Sequence, residues 1–189
     1  MINYGKMEPK LLFPFFCCGV NKARRCVNNC LITGKDGKIM TLTQKESSLL
    51  SDLKSQEQLC IDKYQKYASE ACDPALKSLF GEIKTTEEKH LNTINRILGG
   101  EEVTMQAAPT AASEKKSFTQ SSCPADAKQK DAFLCKDALA MEKHVSSVYD
   151  TSVFEFSSPT LRDTLSHIQK EEQNHGMELY QYLSANGAY

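Results

Sequence analysis

Residues 83–94 read IKTTEEKHLNTI and residues 168–179 read IQKEEQNHGMEL. Laid together at an offset of 85 residues, they pair Ile83 with Ile168, Glu87 with Glu172 and His90 with His175. Carried outward without a gap, the same offset places residues 43–98 on 128–183, and thirteen of the 56 positions are identical. Chance would give about three or four. The matches include Leu49 with Leu134, Glu57 with Glu142, Tyr64 with Tyr149, Pro74 with Pro159 and Leu76 with Leu161. One unit has therefore been duplicated within the chain.

The duplicated unit is a helical hairpin. Thr43 followed three residues later by Glu46 is a capping box, and apolar residues then recur at steps of three and four, which predicts a helix to about Ala71. Asp73-Pro74 restarts the chain, the aspartate as N-cap and the proline at the first helical position, where its missing N–H removes no bond. The second helix is expected to run to Leu98, where Gly99-Gly100 stops it. Residues 99–123, rich in Ala, Ser, Thr, Gln and Pro, carry no apolar period and read as a connection. A third helix is expected from Ala125 to about Phe156. Ser158-Pro159 then repeats the restart signal, and a fourth helix runs to about Ala185 before Asn186-Gly187. The expected organisation is an extension over 1–39, hairpin one over 40–98, a crossover linker over 99–123 and hairpin two over 124–189.

With turns near Cys72 and Ser157, Glu57 and Glu87 each lie fifteen residues from the first turn, and Glu142 and Glu172 fifteen from the second. At the helical rise this is ~22 Å in each case, so all four carboxylates share one level. Their direction follows from the apolar rows. Helix two reads Leu76, Phe80, Ile83, Glu87, His90, Ile94, Leu98, and helix four Leu161, Leu165, Ile168, Glu172, His175, Leu179, Leu183. Helix one reads Leu50, Leu53, Glu57, Ile61, Tyr64, Ala68, and helix three Cys135, Ala138, Glu142, Val145, Tyr149, Val153. Every one of these polar residues interrupts a core stripe.

A carboxylate facing a bundle core costs several kcal/mol unless it is paired or bound to a cation. Two divalent ions cancel four carboxylates, and each histidine adds one neutral nitrogen donor. One Glu from each of two helices, with Glu-x-x-His from each of the other two, is the donor set of di-iron and di-manganese carboxylate bundles. The expected ligands are Glu57, Glu87, His90, Glu142, Glu172 and His175, holding two divalent ions, iron or manganese. One helical Glu-x-x-His alone would be read as a solvated acidic face; two copies in core rows argue for metal. The competing reading is a degenerate site closed by protons and hydrogen bonds.

Other side chains carry less. Glu171 adjoins the site as a candidate extra ligand, but it lies about 100° round the helix from Glu172 and Thr86 is its repeat counterpart, so a solvent-side role is expected. Tyr64 and Tyr149 share the ligand stripe, with core packing as the ordinary reading and a supporting role behind the ligands, or radical quenching, as the sharper one. Cys60 is expected to be inert filling. His144 and His167 lie off the ligand face, and Tyr180, Tyr182 and Tyr189 are explained by packing and exposure.

Net charge is -1, with 23 basic and 24 acidic residues, which argues against nucleic-acid and anionic-membrane partners. Eight cysteines without a Cys-x-x-Cys pair fit a reducing compartment better than zinc. The apolar run over 11–20 is interrupted by Pro14, is too short to span a bilayer and lacks a small-x-small cleavage site. Residues 1–39 are therefore expected to be disordered or a mis-assigned extension ahead of Met40.

Residues 41–189, above all Ser158-Pro159, Leu161, Leu165, Glu171-Glu172, His175 and the ending from Tyr180 to Tyr189, resemble the Coat F family of spore coat proteins, a ferritin-like group. The resemblance implies an all-α, ferritin-like four-helix bundle, a duplicated hairpin with a long crossover between helices two and three. It also implies a place in the spore coat among other coat proteins, with a homo-oligomer left open. The 25-residue linker reaches up to ~80 Å, against ~39 Å for a 26-residue helix. Two function classes follow: a structural or protective coat protein with a metal-stapled core, or a di-metal redox enzyme of peroxidase, catalase or ferroxidase type.

Overall fold

The computed structural model describes residues 32–33, 39–104 and 116–189. The expectation for residues 1–39 lies outside the described residues, apart from Ile32–Thr33 (β1), which pairs antiparallel with Ile39–Met40 (β2). Four helices carry the architecture: α1 (Gln44–Glu70), α2 (Pro74–Leu98), α3 (Ala125–Glu155) and α4 (Pro159–Ala185). Among the described residues no helix is long and apolar enough to cross a membrane.

The helix ends follow local chemistry. Thr43 accepts the Glu46 N–H at 3.2 Å while Glu46 Oε2 accepts the Thr43 N–H at 2.7 Å, so two otherwise orphaned donors of α1 are satisfied together. Asp73 Oδ1 accepts the Ala75 N–H at 2.9 Å and Pro74 opens α2. Ser158 and Pro159 do the same for α4, with the Leu161 N–H 3.4 Å from Ser158 Oγ. Beyond α2, Gly100 takes φ 87°, a left-handed conformation that glycine adopts without Cβ strain, and the Glu101 N–H then returns to the Arg96 carbonyl at 3.0 Å.

Burial follows the apolar rows closely. Leu50, Leu53, Tyr64, Leu76, Phe80, Ile83, Ile94, Tyr149, Leu161 and Leu165 are all under 2% exposed. Truncating one such side chain, Leu165→Ala for example, would cost about 2–5 kcal/mol in lost burial and residual cavity. At the row ends Ile97 and Ser152 are buried, whereas Leu98, Ala68 and Val153 are only half-buried. In α1, α2 and α3 the buried stripe thus drifts by one position at its end, whereas Leu183 of α4 stays buried.

α1 packs on α2 and α3 on α4, and the two hairpins meet through α1 against α3 and α2 against α4. The α1–α3 seam is reciprocal. Lys45 pairs with Glu155, and its repeat image Lys130 pairs with Glu70 at 3.2 Å. Glu46 Oε1 accepts the Ser157 N–H at 2.9 Å, while Asp131, the repeat image of Glu46, accepts the N–H groups of Cys72 and Asp73 at 2.8 and 2.9 Å. A carboxylate near the start of each first helix thus ties down the turn of the other hairpin.

Candidate metal centre

At the mid-level of the bundle the apolar core gives way to a polar layer. Glu57 comes from α1, Glu87 and His90 from α2, Glu142 from α3, and Glu172 and His175 from α4. All six are buried, none more than 6% exposed. Their donor atoms form two overlapping groups, Glu57–Glu87–His90–Glu172 and Glu87–Glu142–Glu172–His175, with the atoms of each group within 4.8 Å of one another. The structure thus brings together every residue that the repeat singled out.

Both imidazoles face inward through Nδ1. His90 Nδ1 lies 3.0 Å from Glu172 Oε1, 3.3 Å from Glu87 Oε2 and 3.7 Å from Glu57 Oε2. His175 Nδ1 lies 3.0 Å from Glu87 Oε1, 3.4 Å from Glu142 Oε2 and 4.0 Å from Glu172 Oε2. Glu87 and Glu172 therefore each offer one oxygen to either side, whereas Glu57 and Glu142 serve one side each. Two carboxylates thus stand between the imidazoles, and two lie to one side each.

Among the inner atoms His90 Nδ1 and Glu87 Oε2, 3.3 Å apart, form a hydrogen bond, but most of the others form none. Glu57 Oε2, Glu87 Oε1, Glu142 Oε2, both Glu172 oxygens and His175 Nδ1 are buried without a hydrogen-bond partner. Leaving such atoms unmatched costs about 1–3 kcal/mol each, more if charged. Donor atoms that crowd together without bonding are aimed at a common third point, and this fits a cation. The outer atoms, by contrast, are held. Tyr149 donates its hydroxyl to Glu57 Oε1, Tyr64 donates to Glu142 Oε1, and His90 Nε2 sits 3.0 Å from Glu171 Oε2. Outer hydrogen bonds of this kind orient metal ligands.

Charge is balanced by protons when cations are absent. Burial pushes the Glu57 carboxyl up to about 7 against the opposing pull of His90, and burial likewise holds Glu172 well above the usual range. For His175, burial alone would lower the basicity, but Glu142 and Glu87 beside it outweigh that and raise it to about 10. His90 is raised in the same way by Glu171, Glu172, Glu57 and Glu87 against the effect of burial. Glu87 is the exception: burial would raise it, yet His175 and His90 hold it below the ordinary carboxylate range.

Glu171 departs from its expected solvent-side role. It is half-buried and reaches His90 across the α2–α4 seam, with His167 Nε2 also 3.5 Å from its Oε2. A residue ~100° off the stripe of α4 still faces α2, because the two helices are in contact there. Periodicity within one helix could not show this, since the signal lies on the neighbouring helix. Cys60 is buried, and burial pushes its thiol far up, so it stays protonated as inert filling. His144 is exposed and His167 half-buried, both away from the inner donors.

The Coat F domain family matches residues 130–189, most of α3 and all of α4, and so includes Glu142, Glu172 and His175. No curated protein and no solved structure matches the chain. Over these residues the chain is similar to the Coat F domain, and this similarity supports a spore coat protein.

Proposed function

We propose that this is a spore coat protein whose ferritin-like bundle binds two divalent ions, iron or manganese, through Glu57, Glu87, His90, Glu142, Glu172 and His175. The observation that carries the reading is the sharing of Glu87 and Glu172 between two donor groups. A single ion would leave one terminal glutamate and one histidine without a cation. Two ions neutralise four carboxylates and take both imidazoles, which is the di-metal carboxylate pattern.

The ferritin-like connectivity is part of the proposal. α1 lies antiparallel to α3 through Lys45–Glu155 and Lys130–Glu70, so α2 and α3 point the same way, which supports a long crossover between them. Contacts along α4 support that path. Thr164 Oγ1 donates to the Val103 carbonyl at 2.8 Å, Lys116 pairs with Glu82 and Glu178, and the Ser121 N–H reaches Asn186 Oδ1 at 2.8 Å.

Bound ions would supply Lewis acidity and one-electron redox couples. The chain's own part is to hold the carboxylates and imidazoles in place from behind, with Tyr64, Tyr149 and Glu171, and to keep the layer out of bulk water. This suits a structural or protective role, in which the filled centre staples the core. Redox turnover of peroxide is the second reading, favoured by a cleft that reaches Glu142 and Glu172 from the surface.

The test is to purify the full chain anaerobically, measure metal per chain, and follow hydrogen peroxide consumption in wild type and Glu87→Ala. Two metals with no peroxide consumption, and a large melting-temperature loss on chelation, are expected for the structural role. Well-folded protein that takes up no iron or manganese would remove the assignment. Consumption abolished by Glu87→Ala would establish the redox reading instead.

A further inference from the structure

The two halves of the duplicated bundle are alike in their ligands but not in the surroundings of those ligands. Between α3 and α4 a cavity of about 390 Å³ runs inward to Glu142 and Glu172. Its walls are largely apolar, with buried Leu139 inside, and with exposed Met177 and Tyr180, packed edge-on to Tyr189 at 4.8 Å, at the rim. Lys143 also lines it, its Nζ 6.0 Å from the Tyr189 ring.

The repeat shows what opens this space. Gly176 follows His175 directly, and the residue 85 positions earlier, following His90, is Leu91. Ser146, one turn beyond Glu142, stands where the first hairpin has Ile61. Neither replacement is demanded by the backbone. Gly176 lies inside α4, and a Cβ there would meet only Leu139 Cδ1 at 3.5 Å and Glu142 Cβ at 3.9 Å, ordinary contacts. Glycine inside a helix costs roughly 0.5–1 kcal/mol relative to alanine. That cost is accepted at the one place where a leucine side chain would project into the cavity beside two proposed ligands.

We propose that the α3–α4 cleft binds a small organic molecule with an apolar body and one oxygen-donor head, a phenol or a carboxylic acid, with the head at the Glu142–Glu172 end. This rests on the two-metal reading of the same site. The volume is an order of magnitude above the ~30 Å³ share of a water molecule and lies within the 300–1,000 Å³ range typical of small-molecule pockets, so peroxide alone leaves most of it unfilled. The walls suit an apolar or aromatic body. At the inner end, Glu142 Oε2 and both Glu172 oxygens are buried and without hydrogen-bond partners. Once cations neutralise them, that end favours a hard oxygen donor over an apolar group. Lys143 at the wall favours an anionic head over a cationic one. Leu91 and Ile61 give the first hairpin bulkier side chains at the positions equivalent to Gly176 and Ser146.

The test uses the full chain loaded with iron and oxidised, with phenol as probe and benzoate as competitor. Binding is read from the visible phenolate-to-iron charge-transfer band and from calorimetry, beside metal content and melting temperature. Saturable phenol binding displaced by benzoate is expected, weakened at least about tenfold in Gly176→Leu with metal content retained. Ser146→Ile closes the same space from α3 and is expected to act alike should Gly176→Leu not fold. Two bound metals with no saturable binding of either probe would overturn the cleft assignment and leave the metal reading standing. Binding unchanged in both variants would overturn it equally. Wild type that holds no metal would overturn both.

Discussion

The hydroxyl of Tyr64 on α1 donates to Glu142 on α3, and the repeat images of these residues exchange roles, Tyr149 on α3 donating to Glu57 on α1. Each hairpin's tyrosine therefore holds the other hairpin's terminal carboxylate by its outer oxygen and leaves the inner oxygen for the centre. Burial holds both phenols well above their ordinary range, so they remain donors. Tyr64→Phe frees Glu142 Oε1 without changing the packing volume much. Metal affinity is expected to fall about 10–100-fold, and the metal-free protein to lose about 1–3 kcal/mol. Competition with a chromophoric chelator and urea unfolding measure the two effects. Equal affinity in wild type and both Tyr→Phe variants would show that the tyrosines only pack.

The sharing of Glu87 and Glu172 separates the carboxylates into two kinds. Glu57→Ala removes a donor from one group only and is expected to leave one of two ions bound. Glu172→Ala removes a donor from both groups and is expected to leave neither at micromolar metal. Metal per chain after gel filtration, read by plasma emission, distinguishes them. Identical stoichiometry in the two variants would contradict a bridging role.

Metal-free and metal-loaded protein should respond to pH in opposite directions. In the absence of cations the folded state keeps a proton on Glu57 up to about 7, which the unfolded chain releases near 4.5, so stability falls as pH rises through that window. His175, raised to about 10 from 6.5, stabilises fully below 6.5, and that contribution is lost as pH rises toward 10; His90 acts in the same sense. Glu87, held low, acts oppositely, but only below 4.5. The melting temperature in chelator is therefore expected to drop from about pH 5 to 9. With metal in excess it should rise over the lower part of that range, because the ligands must shed protons to bind. A metal-free melting temperature that climbs with pH would refute this account of the buried protons.

Asp131 offers a test of the seam that does not involve the centre. It is buried and accepts two backbone N–H groups at the α1–α2 turn, while Glu46 accepts the backbone N–H and the hydroxyl of Ser157 at the other turn. Asp131→Ala strands those donors and is expected to cost about 1–3 kcal/mol, with the metal stoichiometry of wild type. Denaturant unfolding at saturating metal checks the first figure, and a change within a few tenths of a kcal/mol would show that water replaces the carboxylate.

The recurrence of apolar residues at steps of three and four and the 85-residue offset by themselves determined four helices, the N-caps of α1, α2 and α4, and the six polar residues at one level of the core. These are properties of a single helix and its distance from a turn: 3.6 residues per turn sets the face, and 1.5 Å per residue sets the height. The same reasoning placed Glu57, Glu87, His90, Glu142, Glu172 and His175 before any contact was known. Only the tertiary structure decided which carboxylates lie between the two imidazoles, that Tyr64 and Tyr149 reach across rather than along their hairpins, and that Glu171 touches His90. It likewise decided that Glu46 and Asp131 close each other's turns and that a cleft opens beside Gly176. Each of these depends on how one helix is rotated and aligned against another. Periodicity within a helix carries no record of that alignment, because the same apolar stripe can pack against several neighbours.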